Sequence, residues 1–127
     1  MTSREFLLIA SELEEAGLIW QPEIGDEVLN KTRPTTVSIL VDPMGMTPSE
    51  LRESYLWLPT LEQLVNQLEA RQAILFHAGL ELTAQQARYK SVIESKFGHI
   101  ETVGNSLRTA VGLSLRELLI KDGQYIH

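Results

Sequence analysis

Apolar residues recur along this chain with two periods, one near 3.6 and one near 2, and the switches between them mark out its elements. Phe6, Ile9, Ala10 and Leu13 fall at i, i+3, i+4 and i+7, one face of a helix. Thr2-Ser3-Arg4-Glu5 precedes them as a capping box, Thr2 accepting from the backbone and Glu5 reaching back. Gly17 stops the helix, since glycine takes the left-handed conformation without a Cβ clash. Glu12, Glu14 and Glu15 are assigned to its solvated side. Leu18-Ile19-Trp20 reads as a strand start or a buried connection, and Gln21 to Pro34 as loop with one helical turn at Asp26–Leu29. Thr35 to Val41 is β-branched and alternating, a strand ended by the turn residues Asp42-Pro43-Met44-Gly45.

Thr47-Pro48-Ser49-Glu50 opens a second helix, with threonine at the cap and proline at the first helical position. It must be short, because Tyr55-Leu56-Trp57-Leu58-Pro59 is extended and the residue before a proline avoids helical angles. Thr60-Leu61-Glu62-Gln63 is a third box, and Leu61, Leu64, Val65 and Leu68 carry its helix to about Arg71. Ile74–Leu82 is the next strand, 83–87 a hairpin loop, and Tyr89–Ser95 a strand with apolar residues on both faces. Phe97 to Thr102 is a further strand or the continuation of a bent one. Asn105 is placed as the cap of a closing helix, ending near Asp122-Gly123, whose stripe is Leu107, Ala110, Val111, Leu115, Leu118 and Leu119. The order predicts an α+β fold over 1–127 as a single domain. In it a small, largely antiparallel sheet carries packed helices, an α/β sandwich with N- and C-terminal helices.

Composition narrows the chemistry more than the fold. A 127-residue chain that is 43% hydrophobic and 22% charged is able to bury a core without staples. It has no cysteine, which excludes disulfides, thiolate catalysis and cysteine–zinc sites. Phe6 to Ala10 is too short for a signal-peptide core and is followed by acids, and no run reaches the roughly eighteen apolar residues of a membrane span. A cytoplasmic location with no membrane partner is expected. The net charge of −6 repels phosphate backbones, and Arg88, Lys90 and Lys96 are the one local basic grouping, so nucleic acid is not the expected partner.

No residue is assigned a catalytic, metal-binding or cofactor-binding role. His77, His99 and His127 lack ligand spacing, although His77 and His99 are able to meet across adjacent strands. Glu94 and Glu101 lie near His99, giving a polar cluster of His77, His99, Glu94 and Glu101 whose simplest reading is a set of exposed strand positions. Neither a Gly-x-Ser-x-Gly elbow nor a phosphate loop is present, and Gly104-Asn105 reads as a tight strand-to-helix turn. Among the aromatics, Tyr55, Trp57 and Trp20, with Phe76, are the candidates for an interaction surface, Trp57 being placed half-exposed beside a loop.

Two segments carry a resemblance. Trp57-Leu58-Pro59-Thr60-Leu61-Glu62-Gln63-Leu64 resembles the W-L-P-T-x-x-x-L helix start of small phage and prophage proteins. Thr102-Val103-Gly104-Asn105-Ser106, followed by Ala110-Val111-Gly112-Leu113-Ser114-Leu115, resembles the closing turn and helix of the same group. That resemblance implies an αβα sandwich, with no catalytic residue to carry over. The closing turn is also similar to that of HicB-type antitoxins. The expectation is a non-enzymatic protein of bacterial or phage descent that works through a protein partner or by self-association, as a homodimer. The alternatives are an antitoxin-like regulator binding a basic partner, and a small hydrolase using His99 with Glu94 or Glu101.

Overall fold

The structure, a computed structural model, describes residues 2–125. Helix α1 (Arg4–Glu15) is capped by Ser3, whose hydroxyl accepts from the Phe6 N–H at 3.1 Å. The cap thus lies one residue beyond the expected Thr2, and the third helical position is apolar Phe6, so no reciprocal box forms. Thr2 is engaged elsewhere, donating to the Glu27 carboxylate. The helix ends as expected: Gly17, at φ +105°, donates to the Glu14 carbonyl, and Leu18 donates back to Leu13.

Two three-stranded antiparallel sheets follow, where the sequence pointed to one. The first has the order β2-β1-β3, from β1 (Glu27–Asn30), β2 (Val37–Ile39) and β3 (Tyr55–Trp57). The helical turn expected at Asp26–Leu29 is therefore a central strand. Val28 and Leu29 are both buried on its opposite faces, so the strand shows no alternation, and two apolar residues cannot distinguish helix from strand. The strand expected over 35–41 shrinks to the three exposed residues of β2 at the sheet edge. Helix α2 (Pro48–Ser54) has the full Thr47–Glu50 capping box and hands over directly to β3.

Helix α3 (Leu61–Ala70) has its own reciprocal box between Thr60 and Gln63. The second sheet, β4-β5-β6, is built from β4 (Ile74–Leu82), β5 (Ala87–Ser95) and β6 (Gly98–Gly104). Helix α4 (Leu107–Tyr125) closes the chain. Its cap is Ser106 and not Asn105: the Ser106 hydroxyl accepts from the Thr109 N–H at 3.1 Å. Since β6 runs to Gly104, the chain needs one more residue to turn before helical angles begin. The class is α+β, with helices close to both termini. Among the described residues no helix is long and apolar enough to cross a membrane.

Helix α4 is the centre of packing. It lies across the second sheet on one side and touches α1 and α3 on the other, while α1 and α2 reach β3. One hydrophobic cluster runs through both sheets, with Leu13, Leu58, Leu64, Leu68, Ile93 and Leu115 fully buried. The unresolved face of β5 is settled by Ser91 and Ile93, which point at α4 and are completely buried. Ser91 is satisfied there: Thr102 donates to the Ala110 carbonyl at 2.7 Å, which leaves Ser114 to donate to Thr102 and Ser91 to Ser114.

Arg108, in the first turn of α4, reaches across to the first sheet. Its Nε donates to Pro59 O at 2.7 Å, and one terminal nitrogen donates to Leu58 O at 2.8 Å and to Glu27 at 3.1 Å. The other donates to Thr2, and the guanidinium lies 4.0 Å over the Phe6 ring. Arg108→Met removes a donor from the Leu58 and Pro59 carbonyls and leaves the Glu27 carboxylate with Thr2 in place of the cation. It should lower the urea-measured unfolding free energy by about 2–4 kcal/mol, with Arg108→Lys recovering only part. At Gly104 an added Cβ would stand 2.7 Å from Thr109 Cγ2 and 3.0 Å from the Ala110 nitrogen. Gly104→Ala should therefore cost about 1–3 kcal/mol in the same assay, because helix backbone must move to admit the methyl.

Candidate functional site

The second sheet buries one face under α4 and leaves the other open, and the antiparallel register decides what stands there. Glu94 pairs across with His99, Val92 with Glu101 and His77, and Lys90 with Gly79. The polar cluster His77, His99, Glu94 and Glu101 thus shares one face. The two histidines do not meet, because they sit on β4 and β6 with β5 between them. His99 pairs through Nδ1 with Glu94, while Glu101 pairs with Lys90 and not with His99. Lys90 also approaches Glu81 at 3.5 Å, and Arg88 bonds Glu81 at 2.8 Å. The Arg88 hydrogen bond holds the Glu81 carboxyl below the usual carboxylate range, and the Glu101 hydrogen bond raises the Lys90 ammonium.

These groups border a shallow depression that is open to solvent. Both side chains of the His99–Glu94 contact are exposed, so it is a solvated surface contact of little energetic weight. Among the described residues no three carboxylate or imidazole groups converge as a metal ion would need. His127 lies outside the described residues.

The aromatic candidates divide differently from expectation. Trp20 is buried, Tyr55 is half-buried, and Trp57 is 9% exposed where half-exposure was expected. The reason is tertiary: α1 and α2 both pack on β3, so the whole Leu56 to Pro59 segment is covered. Phe76 is the outward one, 71% exposed, with its ring 6.0 Å from that of His99. A bulge between Leu75 and His77 makes it the extra residue of β4, which no alternation pattern would have revealed.

Asp26, not singled out by the sequence, is a buried carboxylate with three donors. It accepts from Trp20 Nε1 at 2.8 Å, from the Glu23 N–H at 3.0 Å and from Gln63 Nε2 at 2.9 Å. It thereby joins the loop before β1 to the first turn of α3. Beside this knot is a cavity of about 290 Å³ among α1, the 18–20 connection, α2 and β3. Trp20, Leu18, Leu56 and Trp57 form its apolar lining, and Lys31 and Arg52 stand at its polar side. Lys31 is held by Glu14 at 2.9 Å and by the Arg52 carbonyl at 2.7 Å, while Arg52 Nε donates to Trp20 O at 2.6 Å. Neither cation carried a local signal, because each is separated in sequence from what it touches.

A different feature marks the free edge of β4. Strand β6 ends at Gly104 opposite Tyr89, so β4 and β5 continue alone as a two-stranded arm from Glu81 to Arg88. On that arm Leu82 is 73% exposed, Leu80 at its base is 53% exposed, and Ile74 at the other end of β4 is 65% exposed.

No family model, no curated protein and no solved structure matches this chain.

Proposed function

We propose that this chain is a cytoplasmic, non-enzymatic interaction protein of the phage αβα-sandwich type, working as a two-fold dimer joined through the free edge of β4. The observation that carries the reading is the arm. A two-stranded ribbon is barely stable by itself in water, and this one exposes Leu82 beyond the end of its third strand and Leu80 level with that end. A long apolar edge invites another strand, and proteins normally blunt such edges. The bulge at Phe76 blunts the first half of β4, which leaves Ala78–Leu82 free to pair. Antiparallel pairing centred on Leu80 sets Leu80 against its own copy and Leu82 against Ala78 of the second chain, on the same sheet face. Such a contact is self-complementary, as a two-fold interface must be.

Sedimentation equilibrium should give a dimer, and Leu80→Lys, which opposes two ammonium groups at the axis, should give a monomer with unchanged far-ultraviolet circular dichroism. A wild-type chain that stays monomeric at the highest attainable concentration sinks this reading. The arm should also respond to acid. Because Arg88 depresses the Glu81 carboxyl, the pair's contribution is present above the ordinary carboxylate pKa and is lost as pH falls through the lowered value. Arg88→Gln should move the Glu81 titration midpoint upward, followed by the carboxyl-carbon NMR shift.

A further inference from the structure

We infer that the cavity among α1, α2 and β3 binds a small apolar carboxylate, with Arg52 taking the acid group and the two tryptophans lining the place of its apolar body. This site is separate from the β4 edge and does not depend on the dimer. At about 290 Å³ it stands at the lower limit of small-molecule pockets, which admits a ligand of about ten non-hydrogen atoms. The lining of Ala10, Leu18, Trp20, Leu56 and Trp57 is apolar and aromatic, the surface that accepts a flat hydrocarbon body.

Two polar groups of the lining residues have no partner among the described residues. The Trp57 Nε1–H is buried with no hydrogen-bond partner among the described residues, in a side chain more than nine-tenths buried. Buried donors are nearly always paired, and a buried indole N–H normally finds an acceptor. Its neighbour Trp20 shows the ordinary outcome, donating to Asp26. The second group is Arg52. Its Nε is fixed on the Trp20 carbonyl, so the guanidinium is held in place, while its terminal nitrogens have no ion pair among the described residues.

The other charges around the cavity do not compete for an anion. Lys31 is occupied by Glu14 and by the Arg52 carbonyl. Two carboxylates also line the cavity: Glu14 is paired with Lys31, and Glu53 follows Arg52 on α2, so the acid group is admitted only beside the Arg52 fork. A planar fork with free N–H groups is the side chain best shaped for a carboxylate, which it takes through two parallel hydrogen bonds. A phosphate would suit the fork equally, but its bulk and charge do not suit the remaining lining. Trp57 also borders a smaller, polar cleft of about 190 Å³ beside Asp26 and Gln63, so the test must separate the two places.

The test is titration of the full-length, nitrogen-15-labelled chain with 3-phenylpropionate and, in parallel, with the neutral 3-phenylpropionamide, followed by NMR. Saturable shifts are expected at the Trp57 indole N–H and the Arg52 Nε–H, with the amide binding about tenfold or more weakly for want of the charge-assisted pair. Arg52→Gln should abolish the preference for acid over amide, and Arg52→Lys should restore part of it. Trp57→Phe should weaken the acid while leaving the thermal midpoint close to wild type. The inference is overturned if neither compound shifts the Trp57 indole, if acid and amide bind the wild-type chain equally, or if the shifts gather at the Gln63 amide instead of Arg52. The acid–amide comparison on the wild-type chain decides the matter even if a variant does not fold.

Discussion

The contact on which the fold depends most is made by a cation in an unfavourable place. Arg108 lies in the first turn of α4, where a positive charge opposes the helix dipole at about 0.3–1 kcal/mol. What offsets this comes from segments distant in sequence: the carbonyls of Leu58 and Pro59, the Glu27 carboxylate, the Thr2 hydroxyl and the face of Phe6. Those groups come from the N-terminus, α1, β1 and the β3–α3 connection. A short segment such as β1 has little local reason to be a strand. It is held because Arg108 grips Glu27 from outside, while the Leu58 N–H, just past β3, donates to the Glu27 carbonyl.

The same helix organises the second sheet by a different means. Ser91, Ser114 and Thr102 form a buried hydroxyl chain that ends on the Ala110 carbonyl, so polar atoms enter the core without being orphaned. Nearby, Gly104 permits the end of β6 to approach the first turn of α4, and Gly112 lets Ile9 and Phe6 of α1 approach on the opposite side. With one face taken by α4, the other face of the sheet is left for charges. Its ion pairs are solvated, whereas the apolar groups displaced from the core gather along β4. The sheet thus has a covered face, a charged face and a sticky edge, and the edge is the part suited to a partner.

How far the site could be read in advance follows from the range of the signals. The capping boxes at Thr47 and Thr60 and the stop at Gly17 are complete within a few residues, and each stands where its pattern placed it. The cap of α4 slipped by one residue, because Asn105 and Ser106 are equally good candidates until the end of β6 is known. The shared face of His77, Glu94, His99 and Glu101 was within reach of alternation, but their partners were not, since Lys90 and Arg88 compete for the same carboxylates. Trp57 was misplaced because nothing near it records that two helices lie over β3. Asp26, Lys31 and Arg52 were passed over for a similar reason: Arg52 meets Trp20 across 32 positions, and Lys31 meets Glu14 across 17.

What the sequence by itself determined is the set of local structures and the α+β class, because helix caps, glycine turns and the two hydrophobic periods act within one element. The charge balance and the absence of cysteine also follow from the sequence alone. Only the tertiary structure decided that the strands form two sheets, that Val28 and Leu29 make a central strand, and that Trp57 is covered while Phe76 is not. Those outcomes depend on which surfaces meet, and a residue two bonds from solvent looks the same in sequence as one beneath a helix. Burial and pairing are properties of contacts between distant segments, so the cavity beside Arg52 and the free edge of β4 came into view only when the segments were packed.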